Sequence, residues 1–174
     1  MRIAFAGNPN SGKTTMYNAL TGKHEHVGNW AGVTIGKKES FIKKEFAKTS
    51  EDLVAVDLPG AYSMSPFTPE ESITSGYVRD ATNLSRSLFF TTQLLELGIP
   101  VIVALNKSDI NEKQGTKINT KLLAEKLDCP VIETVSISNK GLKDVVESAV
   151  SLNGKGQKAP YVQAEIDLTD KNEA

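Results

Sequence analysis

The sequence has very little cysteine and no long apolar run. Cys129 is the only cysteine in the 174 residues, so the chain cannot form an internal disulfide, and the apolar run that follows it predicts a small buried side chain. No stretch approaches the roughly 20 apolar residues that span a bilayer, and the run near the N-terminus is too short for a signal peptide. These absences predict a soluble chain in a reducing cytoplasm.

The sequence also has almost no net charge. Its 20 basic residues are balanced by 21 acidic ones, which leaves a formal charge of −1. A surface that binds nucleic acid or an anionic membrane usually needs an excess of positive charge. We therefore expect no nucleic-acid partner. The length is that of one ordinary domain, which can bury a core without disulfides or structural metals.

Short apolar segments alternate with helical patterns along the chain. This alternation is typical of parallel strands joined by crossover helices, and it predicts an α/β fold in which helices flank a mostly parallel sheet. After residue 151 the composition becomes polar and rich in Gly, Pro and Lys, as in a linker or a frayed tail. We therefore predict one domain over residues 1–150, followed at 151–174 by a linker or the start of a truncated region. Strands are predicted at residues 3–6, 40–46, 53–56, 101–105 and 131–135, and helices at 13–21, 84–97, 120–127 and 142–150.

A glycine-rich loop follows the first predicted strand. Residues 7–15 read GNPNSGKTT and fit the pattern G-x-x-x-x-G-K-[ST]. Between a strand and a helix, such a loop turns backbone N–H groups inward, and the helix N-terminus adds about half a positive charge, so the backbone itself can hold a polyphosphate. Lys13 is predicted to reach the β- and γ-phosphates and Thr14 to bind Mg²⁺. The alternative is a glycine turn with a chance lysine. The residues predicted to bind nucleotide here are Gly7, Asn8, Pro9, Asn10, Ser11, Gly12, Lys13, Thr14 and Thr15.

A second motif supplies a carboxylate for the same metal. The apolar run at residues 53–56 leads directly into DLPG, so Asp57 stands at the end of a strand. A carboxylate on a strand next to the loop is what Mg²⁺ bound to a nucleotide requires. Gly60 would then offer an N–H group to the γ-phosphate. Taken alone, Asp57 would more often belong to a plain turn; together with the glycine-rich loop it predicts a metal ligand.

A third motif indicates which base is bound. Residues 106–109 read NKSD at the end of the predicted strand 101–105. The Asp109 carboxylate can accept two hydrogen bonds from N1 and N2 of guanine, which adenine cannot donate. Lys107 would lie along the base and the glycine-rich loop through its alkyl stem. Asn106 belongs to the same predicted site, and the backbone N–H groups of Ser136, Ile137 and Ser138 are predicted to support the base.

The three motifs together resemble a small Ras-like GTPase and, more narrowly, the N-terminal G domain of the ferrous iron transport protein B family. The narrower match rests on VGNWAGVTIGKKE (27–39), DLPGAYSMSP (57–66) and DATNLSRSLFFTTQLLELGIPVIVALN (80–106), and it covers about residues 1–150. The resemblance implies a Ras-like P-loop fold with three layers. It also implies that Thr34 lies in a switch segment and binds Mg²⁺ only when the γ-phosphate is present. GDP release would be unusually fast for a small GTPase.

The resemblance also implies a potassium site and a membrane context. Ala61 follows Gly60 where many Ras-like proteins carry a water-positioning glutamine, and the switch segments offer no arginine finger. In the family, K⁺ would take the finger's place, held by the Asn10 side chain and by the backbone carbonyls of Gly28 and Trp30. The alternative is that Asn10 only closes the turn of the loop. The partners implied are GTP and GDP and a permease in the same protein at the cytoplasmic face of the inner membrane. Association with further copies of the chain stays open. The residues predicted to act in catalysis are Lys13, Asn10, Thr34 and Gly60.

The sequence departs from the family pattern at the centre of the predicted sheet. In the family an apolar strand ends where Asp80 begins, whereas here the residues GYVR at 76–79 run directly into it. A sheet that lacks a central strand leaves backbone groups unpaired, at about 1–3 kcal/mol for each buried group. We therefore predict a central strand missing near residue 79, through residues absent from the chain near Arg79 or a strand exchanged with another copy.

The predicted function is GTP hydrolysis, Mg²⁺-dependent, K⁺-stimulated and slow, by the cytoplasmic head of an Fe²⁺ transporter. Two alternatives stay open at this point. One is a switch module whose change of shape matters more than its hydrolysis. The other is a GTPase of ribosome or tRNA maturation, which would carry a basic RNA-binding domain, and the sequence has no such region.

Overall fold

A computed structural model describes residues 1–8, 10–22, 26–29, 36–47, 49–58, 73–81 and 91–160 of the chain. Its strands are β1 (Arg2–Gly7), β2 (His26–Asn29), β3 (Gly36–Phe41), β4 (Val54–Asp57), β5 (Ile73–Asp80), β6 (Val101–Asn106) and β7 (Val131–Glu133). Its helices are α1 (Lys13–Thr21), α2 (described over 91–96), α3 (Ser108–Lys113), α4 (Thr120–Leu127) and α5 (Leu142–Leu152), with a short 3-10 helix at Lys44–Phe46.

The seven described strands form one sheet in the order β2-β3-β4-β1-β5-β6-β7. The five neighbouring strands β4, β1, β5, β6 and β7 are parallel to one another. β3 is antiparallel to both β2 and β4. Because successive side chains of a strand point to opposite faces, each buried strand contributes to two cores. The predicted α/β class with helices flanking a mostly parallel sheet is confirmed.

The two faces of the sheet carry separate apolar cores. On one face, Ile3 and Phe5 of β1 and Ile102 of β6 belong to the cluster that includes α1 and α5 residues such as Tyr17 and Val146. On the other face, alternate residues of the same strands, such as Ala6 and Val103, pack with α2 and α4. Cys129 lies buried in this second core, as its apolar neighbours predicted. The result is a three-layer arrangement of helices, sheet and helices.

The prediction of a missing central strand near residue 79 is wrong. β5 lies between β1 and β6, parallel to both, and six of its residues are in register with each neighbour. Gly76 packs against Phe5, where a Cβ atom would make an ordinary van der Waals contact of 3.5 Å with the ring. Val78 is fully buried beside it. Pairing on both sides thus overrides the weak strand signal of ITSGYVRD.

Several element boundaries also differ from prediction. The strand predicted at 40–46 ends at Phe41, and residues 44–46 form a 3-10 helix. The last strand ends at Glu133 instead of residue 135. The helices predicted after Gly12 and at 120–127 are confirmed, and α5 extends the predicted helix to Leu152. In the helix predicted at 84–97, residues 91–96 are helical and 82–90 lie outside the described residues. β2, β5 and α3 had not been predicted.

The segment after α5 is held against the domain by Gln157. Its backbone N–H donates to the carbonyl of Gly98 (3.3 Å), and its side-chain oxygen accepts from the N–H of Val101 (2.7 Å). Its amide nitrogen donates to the carbonyl of Asp128 (2.8 Å). Gln157 is thus anchored to the domain, and 161–174 lie outside the described residues. The division at residue 150 stays a prediction.

Candidate nucleotide-binding site

The glycine-rich loop joins the end of β1 to the start of α1. Gly12 occupies the N-cap position with φ 88° and ψ 16°, a left-handed conformation that favours glycine, and no side chain caps the helix. The first turn of α1 contains no acidic residue. The N–H groups at this helix end are therefore left for an anion, in the positive field of the helix dipole.

The backbone of Asn10 forms part of a turn in the glycine-rich loop, and its side chain is exposed. Its backbone is left-handed, with φ 65°, a conformation that asparagine tolerates better than most residues. The turn closes through a hydrogen bond from the N–H of Ser11 to the carbonyl of Asn8 (3.1 Å). The Asn10 side chain is exposed and lines a cavity above the loop. The turn accounts for the backbone of Asn10, and the role predicted for its side chain stays a prediction.

The cavity above the loop has the chemistry of an anion site. Its volume is about 460 Å³, and among the described residues its lining contains two lysines and no carboxylate. A polyphosphate placed there would meet the uncapped helix end, while the ammonium groups of the two lysines contact Asp57 and Asp80. The lining residues are Asn8, Asn10, Gly12, Lys13, Thr14, Thr15 and Lys107.

Lys13 and Asp57 meet at the carboxyl-terminal edge of the sheet. β4 is parallel to β1 with Phe5 in register with Asp57, so Asp57 ends its strand beside the loop. The Lys13 ammonium, 8% exposed as a residue, contacts the Asp57 carboxylate and donates to the carbonyl of Leu58 (2.6 Å). Asp57 and the exposed residue Thr14 offer hard oxygen donors of the kind that Mg²⁺ prefers.

Asn106 connects the base-recognition loop to the glycine-rich loop. Its side chain is buried and donates from Nδ2 to the carbonyl of Ser11 (2.9 Å). Its Oδ1 accepts from the N–H of Ser136 (3.0 Å), from the Ser136 hydroxyl (2.9 Å) and from the Thr134 hydroxyl (3.4 Å). Asn106 therefore fixes three loops relative to one another, because its Nδ2 and its Oδ1 both bond to other loops.

The other residues predicted to bind the base are Asp109, Ser136, Ile137 and Ser138. Asp109 lies half-buried in the first turn of α3, one residue beyond the buried Ser108. The N–H groups of Ser136 and Ser138 donate to Asn106 and Val135, so these two amides are not free to support a base as predicted. The side chain of Ile137 is 82% exposed at the tip of the loop. The roles predicted for Asp109 and Ile137 stay predictions.

One charged residue of this region was missed by sequence reasoning. Asp80 ends β5 and accepts a hydrogen bond from the Lys107 ammonium, with 2.6 Å between Nζ and Oδ2. Asp57 was found because an apolar strand precedes it. Asp80 has the same position at the end of a parallel strand, but the strand itself had not been recognised. A strand assignment for residues 73–80 would have identified it.

Some predicted site residues cannot be placed. Pro9, Trp30, Thr34 and Gly60 lie outside the described residues. Gly28 is described only by its backbone, in β2 opposite Lys37 of β3. Among the described helices, none is both long enough and apolar enough to cross a membrane.

Comparison with known proteins agrees with the motifs. The family model for "Ferrous iron transport protein B" matches residues 1–149. The match to the Fe(2+) transporter FeoB of Salmonella typhimurium strain LT2 is 46% identical over 158 aligned positions, and it covers 82% of this chain and 20% of the transporter. The chain thus spans about a fifth of that relative's length.

Solved structures of the same family share the fold. A crystal structure of an S. thermophilus NFeoB variant bound to GDP has a TM-score of 0.80 and 40% identity, and the match covers 94% of this chain and 67% of that one. A second S. thermophilus NFeoB variant, bound to GMPPNP, has a TM-score of 0.71 and 43% identity, with coverage of 88% and 62%. With the family model matching residues 1–149, the chain belongs to the ferrous iron transport protein B (FeoB) family.

Proposed function

We propose that this chain binds guanine nucleotides and hydrolyses GTP, as the G domain that controls Fe²⁺ uptake by a membrane permease. The observation that carries the proposal is the cavity of about 460 Å³ in which the uncapped start of α1, Lys13 and Lys107 converge. A site whose described lining combines two lysines with the uncapped start of a helix favours a polyphosphate over most other ligands. Family relatives bound to GDP and GMPPNP support the same ligand class.

The guanine preference is proposed from Asp109 and its setting. The Asn106 amide joins the strand end that carries NKSD to Ser11, so base and phosphate contacts are held at a fixed separation. A carboxylate that accepts two hydrogen bonds from guanine would be left unpaired against adenine, which costs affinity. Asp109 therefore acts as the discriminating residue.

Hydrolysis is proposed to proceed by attack of water on the γ-phosphate. The Lys13 ammonium and the backbone N–H groups at the start of α1 stabilise the negative charge that develops on the phosphoryl oxygens. Gly60, which follows β4 by three residues, contributes a further N–H group. When bound, Mg²⁺ would neutralise charge between the β- and γ-phosphates, and Thr14, Thr34 and Asp57 would hold it.

A potassium ion is proposed as the stimulating cation. The Asn10 side chain is exposed on the cavity, and its amide oxygen is a suitable ligand for a weakly hydrated monovalent ion. The carbonyls of Gly28 and Trp30 would complete the site. Positive charge at this position has the role of an arginine finger in related enzymes, which is worth roughly 10³ to 10⁵ in rate.

The membrane role is inferred from the whole-length relatives. The transporter of which this chain covers 20% is an Fe(2+) transporter, so we propose a permease in the same protein as the partner and the cytoplasmic face of the inner membrane as the location. The family assignment gives no support to ribosome or tRNA maturation. A switch module with negligible hydrolysis stays a competing proposal, and rates separate the two.

The test is single-turnover GTP hydrolysis with protein in excess and Mg²⁺ present, in KCl and in NaCl. We expect release of phosphate that is at least about tenfold faster in KCl. Asn10→Gly separates the two interpretations of Asn10, because glycine keeps the left-handed turn and removes the amide. We expect this variant to hydrolyse GTP equally slowly in both salts.

Asn119→Ala is the control, since Asn119 is an exposed residue that caps α4. It should retain the KCl stimulation. Equal rates in the two salts, or full KCl stimulation of Asn10→Gly, would remove the potassium proposal. The absence of hydrolysis in any salt, with GTP bound, would favour the switch module.

A further inference from the structure

We propose that Asp80 is a positioning residue for the base-recognition loop and acts through Lys107. The inference rests on the proposed function and deepens it, because it assigns a role to a residue outside the three sequence motifs. Asp80 accepts a hydrogen bond from Lys107 at 2.6 Å, and the two side chains are 19% and 31% exposed. A pair this sheltered is screened less by salt than an ion pair on the open surface.

The sheet register places Asp80 beside the base-recognition loop. Asp80 is in register with Asn106 across the β5–β6 pair, and Lys107 follows immediately. The lysine side chain therefore turns back over the end of the neighbouring strand. Two consecutive residues thus tie this loop to different parts of the domain, Asn106 to the glycine-rich loop and Lys107 to β5.

The backbone at Lys107 needs such an anchor. Lys107 has φ 62° and ψ 31°, a left-handed conformation that is uncommon for residues other than glycine and asparagine. It also forms the N-cap of α3, which carries Asp109 in its first turn, and no side chain caps this helix. An anchor on the Lys107 side chain therefore helps to hold the start of α3, and with it the carboxylate that discriminates the base.

Lys107 also forms part of the wall of the cavity. A free lysine side chain has four rotatable bonds, and ordering it on binding costs conformational entropy. With its ammonium fixed on Asp80, the stem is already ordered before a nucleotide arrives. This preorganisation increases affinity without any contact between Asp80 and the ligand.

The arrangement repeats that of the other lysine in the cavity. β1 has two parallel neighbours, β4 and β5, and each ends in an aspartate that contacts a lysine of the lining, Asp57 with Lys13 and Asp80 with Lys107. The opposite consequence is also conceivable on electrostatic grounds, since Asp80 reduces the positive charge near the phosphates. That electrostatic effect would make the Asp80→Asn variant bind GDP more tightly. The sign of the change in GDP affinity therefore decides between the positioning role and the electrostatic effect.

The experiment measures GDP dissociation constants by titration of the full 174-residue chain and its variants. We expect Asp80→Asn to weaken GDP binding about tenfold, as expected when one partner of a sheltered charge pair is removed. Asp80→Glu, which keeps a carboxylate for Lys107, should recover most of the loss. In the Lys107→Met background, Asp80→Asn should change the constant less than about twofold, because the interaction through which Asp80 acts is already gone.

Glu112→Gln is the matched control, since Glu112 also forms an ion pair with a lysine, Lys140, but at 3.9 Å and more than half exposed. It should leave GDP affinity unchanged. The proposal is overturned if Asp80→Asn binds GDP as well as or better than the parent chain, or loses as much affinity with Lys107→Met as without it. If the parent chain itself does not bind GDP, the proposed function fails and this inference fails with it.

Discussion

Replacing Gly12 by alanine is expected to lower the affinity for GDP by roughly 100-fold or more. A Cβ atom at this position would lie 2.2 Å from Nδ2 of Asn106, closer than any real contact. The residue would also keep a left-handed φ of 88°, which costs an alanine about 1–2 kcal/mol. To relieve the clash, either the loop moves or Asn106 gives up its bond to Ser11, which leaves a buried carbonyl unpaired at about 1–3 kcal/mol.

Gly115→Ala separates the clash from the backbone strain. Gly115 has φ 70° with no atom within 4 Å of its would-be Cβ, so alanine there meets the strain alone. We expect this variant to lose about 1 kcal/mol of stability and to bind GDP within a factor of about two of the parent. Isothermal titration of both variants gives the comparison. Equal losses of affinity would mean that the contact between Gly12 and Asn106 is not what shapes the site.

The second large effect is expected for Asn106→Ala. The substitution removes a donor from the carbonyl of Ser11 and an acceptor from three groups of Thr134 and Ser136. At least two of these are buried backbone groups, so the free energy of unfolding should fall by about 3 kcal/mol. Because the base-recognition loop is then no longer joined to the glycine-rich loop, GDP affinity should fall by about 100-fold as well.

Asn111→Ala provides the control for that result. Asn111 is a buried asparagine of α3 whose side chain donates to the carbonyl of Thr116 at 2.8 Å, a hydrogen bond within residues 111–116. Urea denaturation should show a loss of about 1 kcal/mol, with GDP affinity nearly unchanged. If Asn111→Ala weakened GDP binding as much as Asn106→Ala, the loss would reflect general destabilisation and the connecting role of Asn106 would be wrong.

The parts of the fold that the sequence predicted are those with strong local signals. The strand-loop-helix unit around Gly12, the apolar β6 and the amphipathic α5 each have a period or a glycine that specifies them. β5 has no such signal, because its pattern ITSGYVRD is polar and contains a glycine. Its place is set by parallel pairing on both sides, which is a long-range property.

The candidate site divides in the same way. Lys13 and Asp57 could be placed in one site from sequence, because the ends of adjacent parallel strands must meet. The hydrogen bonds of Asn106 could not, since three loops far apart in the chain have to converge before its partners exist. Asp80 was missed for the further reason that its strand was judged absent. The hydrogen bonds that Gln157 forms with Gly98 and Val101 could not be predicted either, because the segment around Gln157 is polar and contains glycine.

The most direct test of this account is a competition titration of GTP, GDP and ATP against the parent chain in the presence of Mg²⁺, repeated with Lys13→Ala. We predict that GTP and GDP bind at least about 100-fold more tightly than ATP, because Asp109 would be left unpaired against adenine. We also predict that Lys13→Ala abolishes most of the GTP affinity. Comparable affinity for ATP, or GTP binding that is indifferent to Lys13, would contradict the assignment of a guanine-nucleotide site above the glycine-rich loop.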